Sequence, residues 1–215
     1  MTRSAAIVSA LDEGEDELEQ VLALHRAAGV EQPERLALGA GDRLLLVLHE
    51  RVVGRAAEIA VTCGACETVN AVALTAEAVP AAWERVRPLG RGGGLREPTY
   101  ADLRDLPSDA DDAASELLRR CRVGSPERDP TAEDLELVDD SLAGPLRLTC
   151  VGCGAAVEAV TDVERLVLEL LQRHAHDVET EVHLLASAYH WELGTIEELP
   201  DSRRERLARL VAEGR

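Results

Sequence analysis

Ala60-Val61-Thr62-Cys63-Gly64-Ala65-Cys66 and Arg147-Leu148-Thr149-Cys150-Val151-Gly152-Cys153 decide how this chain folds. Ile59 and Val61 alternate with polar or small residues into the first cysteine pair, and Val69, Ala71, Val72 and Leu74 follow the second cysteine. A period of two on both sides of a short Cys-x-x-Cys turn predicts a β-hairpin with the cysteines at its tip. Leu146 to Val160 repeats the arrangement. The two stretches overlay residue for residue, as an internal duplication, or convergence on one local solution, would leave them.

Zinc takes four soft or borderline ligands in a tetrahedron. A Cys-x-x-Cys turn points two thiolates at one place while its backbone amides remain free to bond the sulfurs. Two such turns complete a shell, so Cys63, Cys66, Cys150 and Cys153 are read as the ligands of one structural zinc. Four thiolates close the coordination sphere, which leaves no position for catalysis. A redox pair would need an attacking thiol at a helix N-terminus, where its pKa is lowered, and both pairs here fall between predicted strands. Four unligated thiols are the remaining alternative.

Outward from the hairpins the patterning turns helical. Residues 1–54 carry an apolar helical period through Leu18, Val21, Leu22 and Leu24 to Ala28. The period resumes from Leu44 to Val53 after a break at Gly39-Ala40-Gly41-Asp42, giving two or three helices. Residues 55–83 hold the first hairpin. Residues 84–97, rich in Gly and Arg, are expected to be a flexible linker. Residues 98–144 form a helical insertion. In it Pro98-Thr99-Tyr100-Ala101-Asp102-Leu103 and Pro130-Thr131-Ala132-Glu133-Asp134-Leu135 each start a short helix capped by Thr, and a third helix covers Asp109 to Arg122. Residues 145–160 hold the second hairpin. Residues 161–215 are helical: Thr161 to Glu164 reads as a capping box opening a long amphipathic helix to about residue 191. Its apolar side is Val163, Leu166, Val167, Leu170, Leu171, His174, Val178, Val182, Leu185 and Tyr189. A last helix runs from Asp201 to Ala212, capped by Asp201 or Ser202. The fold class is α+β, mostly helical, with a zinc-ribbon-like module of two hairpins and a long C-terminal helix.

With 215 residues, 46% of them hydrophobic, the chain can bury a sizeable core. That core must be built from Leu, Val and Ala, since there is no Phe and only two Trp and two Tyr. A net charge of -18 repels phosphate backbones and anionic membranes, so neither nucleic acid nor membrane is an expected partner. No charged-then-apolar leader opens the chain and no run approaches roughly 20 apolar residues. A cytoplasmic protein is expected, and in a reducing compartment Cys-x-x-Cys reads as metal-binding or redox-active before disulfide-forming.

Other features carry less. Cys121 reads as a small buried residue. His176, His183 and His190 recur on the polar side of the long helix roughly 10 Å apart, too far to share a metal, and His174 reads as a hydrogen-bonded core histidine. Gly90 to Gly94 lacks the Lys-Ser/Thr of a phosphate loop. Acidic pairs such as Asp111-Asp112 and Asp139-Asp140 are common by chance in so acidic a chain, and no catalytic constellation emerges.

The C-terminal text Glu181-Val182-His183-Leu184-Leu185-Ala186-Ser187-Ala188-Tyr189-His190-Trp191 runs on to Thr195-Ile196-Glu197-Glu198-Leu199 and Ser202 to Leu207. It resembles the baseplate hub assembly chaperones of T-even-type contractile phages, in the form encoded in bacterial contractile injection system clusters. Five features stand in the family's order: helical N-terminus, CxxC hairpin, Pro-Thr-x-x-Asp-Leu segment, second CxxC hairpin and helical ending. His190 stands where Gly commonly follows the Tyr, and Gly64-Ala65 and Val151-Gly152 replace the Pro common within each CxxC. The resemblance implies a non-enzymatic role in building a phage-tail-like particle, with a baseplate hub or tail protein as partner. An apolar groove of the long helix, formed by Leu170, Val178, Val182, Leu185, Tyr189 and Trp191, would hold it. The alternatives are a zinc-ribbon regulator or adaptor acting through protein contacts, and a thiol redox protein.

Overall fold

The computed structural model describes residues 3–76 and 86–214, with the side chains of Arg3 and Val86 left out. Residues 77–85, the end of the expected first hairpin segment and the start of the expected linker, lie outside the described residues. Three N-terminal helices, α1 (Arg3–Glu13), α2 (Glu17–Ala27) and α3 (Leu38–Val53), pack against the long α7 (Val163–Tyr189). Their shared core holds Ile7, Val21, Leu22, Leu24, Leu45, Val167 and Leu171. Asp16 caps α2 by accepting the Glu19 N–H at 2.8 Å.

Gly39 and Gly41, expected to interrupt the helical pattern, lie inside α3 and are buried. Their role is close approach. A Cβ on Gly39 would stand 2.1 Å from the Asp140 carbonyl oxygen, and one on Gly41 2.2 Å from the Tyr100 hydroxyl.

The two hairpins match. β1 (Ala57–Thr62) pairs antiparallel with β2 (Val69–Leu74), Ala57 opposite Leu74 and Thr62 opposite Val69. β6 (Gly144–Thr149) pairs with β7 (Ala156–Thr161), Gly144 opposite Thr161 and Thr149 opposite Ala156. Each is a separate two-stranded sheet.

Between them, the Gly/Arg-rich stretch is folded from Val86 onward, contrary to the expected flexible linker. β3 (Val86–Pro88), β4 (Gly93–Arg96) and β5 (Arg122–Gly124) form an antiparallel sheet in that order. Its glycines admit neighbouring backbone: a Cβ on Gly94 would meet the Arg87 carbonyl oxygen at 2.2 Å, and one on Gly93 the Val123 carbonyl oxygen at 2.5 Å. Helices α4 (Tyr100–Leu103), α5 (Ala110–Cys121) and α6 (Ala132–Glu136) complete the insertion around Leu89, Leu95, Cys121 and Val138. Thr99 and Thr131 cap α4 and α6 in capping boxes with Asp102 and Asp134, and Asp109 caps α5. Each capping-box Asp is also clasped by an Arg six residues earlier: Arg96 holds Asp102 at 2.6 and 2.8 Å, and the Arg128 Nη2 holds Asp134 at 2.6 Å. The insertion docks through an Ala37–Thr99 bridge and through Tyr100, which sits in the main core.

At the start of α7 the cap is Asp162, accepting the Arg165 N–H at 3.0 Å. Thr161 belongs to β7 instead, its hydroxyl bonding the Leu142 and Gly144 carbonyls. The buried stripe of α7 takes in Leu168 and Ala175, absent from the expected set, while Tyr189 lies at the surface. A short unforeseen helix, α8 (Leu193–Glu197), leads into α9 (Asp201–Ala212). No side chain caps α9; Asp201 lies within it and accepts from the buried Arg204, which also bonds Glu181 at 2.8 Å. α8 and α9 close a second core of Leu185, Ile196 and Ala208. Among the described residues no helix is long and apolar enough to cross a membrane.

Candidate metal centre

Each Cys-x-x-Cys turn is held by the same two backbone bonds. In the first, the Cys63 N–H reaches the Thr68 carbonyl at 2.9 Å and the Glu67 N–H reaches the Cys63 carbonyl at 2.9 Å. In the second, Cys150 N–H to Ala155 carbonyl and Gly154 N–H to Cys150 carbonyl measure 2.8 and 2.9 Å. These bonds turn both thiols of each pair outward from the hairpin tip.

The tips meet face to face. Cys63 Sγ lies 3.8 Å from Cys153 Sγ, Cys66 Sγ lies 3.6 Å from Cys150 Sγ, and all four ligand atoms fall within 4.8 Å of one another. Four sulfurs around a zinc at about 2.3 Å would be spaced about 3.8 Å apart. The donor set therefore fits a tetrahedral thiolate-bound ion such as zinc, and no disulfide joins any of the cysteines. Cys63 and Cys150 are buried whereas Cys66 and Cys153 are exposed, so the site is capped by protein on one side and open to water on the other. Among the described residues no other group of His, Cys, Asp or Glu gathers in this way.

The backbone around Cys150 favours thiolate there. The backbone N–H groups of Cys153 and Gly152 hold the Cys150 thiol down to about 6, the latter lying 3.4 Å from its sulfur. Asn70 locks the two hairpins together. It is buried, accepts the Val151 N–H across the interface at 2.9 Å, and donates to the Val61 and Thr68 carbonyls at 3.1 Å each. Its counterpart in the second hairpin is Val157, which packs on Cys63 and Cys150. Gly152 lets the tips close, since a Cβ there would stand 2.4 Å from the Thr68 hydroxyl. Neither Asn70 nor Gly152 stands out in the sequence, because what each does is defined by the opposing hairpin.

The remaining expected residues are placed separately. Cys121 is buried with its thiol pushed up to about 11 by burial, the state of an inert packing residue. His174 is half-buried with Nε2 3.1 Å from the Ser4 hydroxyl, and His176, His183 and His190 are exposed. Of the expected partner groove, Leu185 and Val178 are buried, and Val182 and Leu170 are half-buried. Leu185 lies beneath Ile196 and Ala208 of α8 and α9, so the chain itself fills that part of the groove. Tyr189 and Trp191 stack with ring centroids 4.9 Å apart and are 39% and 36% exposed. Comparison of the chain with family models, curated proteins and solved structures finds no match.

Proposed function

We propose that the chain is a non-enzymatic assembly chaperone or accessory baseplate component of a contractile, phage-tail-like injection system, built around a structural zinc. The observation that carries the reading is the closed set of four thiol ligands joining two duplicated hairpins, in the motif order the family resemblance requires. Four sulfurs at zinc spacing leave no coordination position for a substrate or activated water, so the ion's work is to hold residues 57–74 against residues 144–161. Both pairs lie in hairpin turns and not at helix N-termini, which weighs against the thiol redox alternative. His190, where the family commonly has Gly, adopts a left-handed φ of 54 and ends α7 as a glycine would. A zinc-ribbon adaptor draws on the same module and differs only in its partner.

Two measurements test the reading. Elemental analysis of purified protein is expected to give one zinc per chain, lost in Cys63→Ser and kept in Cys121→Ser. In the native host the chain is expected to co-purify with a hub or tail protein, and its deletion to prevent assembly of contractile particles. Normal contractile particles from the deletion strain would overturn the chaperone role. A polymerase or regulator as stoichiometric partner would favour the adaptor.

A further inference from the structure

A groove of about 530 Å³ runs beside the first hairpin. Consecutive residues Glu58 to Thr62 line one wall, Ala159 to Asp162 line the other, and Arg165, Leu166 and Glu169 of α7 form the floor. Consecutive residues border a groove when a strand presents its edge; a strand presenting a face contributes alternate ones.

The ladder fixes what that edge offers. In an antiparallel pair, residues that exchange both backbone bonds alternate with residues whose N–H and C=O point away. The Cys63 N–H bonds the Thr68 carbonyl, and with Thr62 opposite Val69 this phases β1: Val61, Ile59 and Ala57 bond β2, while Thr62, Ala60 and Glu58 point their backbone groups outward. Among the described residues β2 is the one strand paired with β1, so these groups face the groove. The same phasing turns Val160, which is 87% exposed, outward from β7 on the far wall. The edge of β6 differs: by the same alternation Pro145 lies on its outer side, where the missing N–H guards against strand pairing. No proline interrupts β1.

Charge narrows the occupant. Arg165 is paired with Glu169 at 3.2 Å and Asp162 caps α7. Glu58 is left exposed on the rim without an ion-pair partner among the described residues, in a chain of net charge -18. Small side chains, Ala60 and Ala159, leave room for a backbone between the walls.

We propose that the free edge of β1 receives an extended, neutral-to-basic segment of a partner protein, which adds to the first hairpin as a third strand along Glu58, Ala60 and Thr62. This deepens the reading of the chain as a protein that works by holding another, and rests on it. Backbone bonds supply the affinity, and the acidic rim selects lysine or arginine on the partner strand's outward side.

The test uses the full zinc-loaded chain and a synthetic peptide of about seven residues alternating valine and lysine, long enough to span β1 at roughly 3.3 Å per residue. The peptide is expected to slow hydrogen exchange at the amides of Glu58, Ala60 and Thr62. Replacing its lysines by glutamate is expected to weaken binding roughly tenfold or more. Ala60→Pro removes an outward N–H without touching the β1–β2 ladder, and is expected to lower affinity about tenfold with zinc content unchanged. Val160→Lys, which charges the far wall and leaves β1 intact, is expected to weaken the lysine peptide as well. Equal affinity in both variants, or exchange protection at Tyr189 and Trp191, would overturn the proposal while leaving a protein-holding role in place. Protection of the β1 amides that grows with protein concentration alone would replace the partner segment by a second copy of the chain.

Discussion

In both knuckles the residue after the second cysteine turns through the left-handed region. The second hairpin places Gly154 there, at φ 75, where no Cβ is strained; the first places Glu67 there, at φ 59. A non-glycine residue in that conformation costs about 1 kcal/mol. The duplicated turn thus carries a penalty in one copy alone, and each copy can be converted to the other. Glu67→Gly is expected to stabilise the metal-loaded protein by roughly 0.5–1 kcal/mol, and Gly154→Ala to destabilise it by about 1 kcal/mol. Denaturant unfolding at saturating zinc checks both. Equal and opposite shifts would establish that the turns are interchangeable, whereas a loss in Glu67→Gly would mean that the glutamate side chain contributes something the glycine cannot. His190, at φ 54 behind α7, is the same kind of position, and His190→Gly is expected to move stability in the same direction as Glu67→Gly.

At the scale of elements, α3 and the insertion approach as closely as two missing side chains allow. Gly39→Ala raises local helix propensity by about 1 kcal/mol but drives a methyl into the Asp140 carbonyl oxygen at 2.1 Å, and overpacking against backbone costs roughly 1–3 kcal/mol. The net expectation is destabilisation. Gly194 in α8 is the control, since nothing lies within 4 Å of its missing Cβ, and Gly194→Ala is expected to be neutral or stabilising by up to about 1 kcal/mol. Opposite signs in thermal unfolding of the two variants would separate close packing from helix propensity. The same contrast explains what the sequence makes legible. Signals that act within a few residues, such as the Thr99 and Thr131 caps, the strand alternation around Cys63 and Cys150 and the period of α7, specify their elements directly. Gly39, Gly41, Gly93 and Gly94 look like breaks because the backbone each one admits comes from elsewhere in the chain. The covering of Leu185 by Ile196 and Ala208 is equally invisible on a helical wheel, which shows an apolar side without showing what packs on it. Arg96 and Arg128 stand at matching places before the two Pro-Thr-x-x-Asp-Leu segments. Their clasp on Asp102 and Asp134 becomes apparent only when the chain bends back on itself.

At the scale of the whole molecule, four elements converge on one buried polar cluster. His25 of α2 lies 3.1 Å from the Tyr100 hydroxyl of α4, Tyr100 bonds Glu164 of α7, and Asp42 of α3 accepts the Leu142 N–H at 2.6 Å. With the hydroxyl proton directed at the Glu164 carboxylate, the Tyr100 oxygen accepts from the His25 Nε2–H, and His25 Nδ1 is left unpartnered. Burial pushes Glu164 up to about 7 and Asp42 up to about 6, and pulls His25 down to about 4. A carboxyl whose folded pKa is raised binds more protons folded than unfolded, so its charge is a penalty above the folded pKa that is relieved as pH falls toward the unfolded value. The imidazole works in the opposite sense: unfolded it takes up a proton near pH 6.5, folded only near 4, so acidification through that window destabilises. His49 and His174, also lowered by burial, add to the second effect. These opposed contributions overlap between about pH 4 and 7, so the carboxyl is isolated by difference. Glu164→Gln removes the penalty without emptying the space, and is expected to exceed wild type by on the order of 1–3 kcal/mol at pH 8. That advantage should shrink as pH falls below about 7 and vanish only below the ordinary carboxyl value of 4.5, where the unfolded chain is protonated as well. Because zinc affinity and the histidines vary with pH equally in both proteins, their difference in denaturant midpoint reports the one group. A difference independent of pH would mean that Glu164 is solvated enough to titrate as an ordinary carboxyl, and that the convergence of α2, α3, α4 and α7 rests on its packing and its other hydrogen bonds.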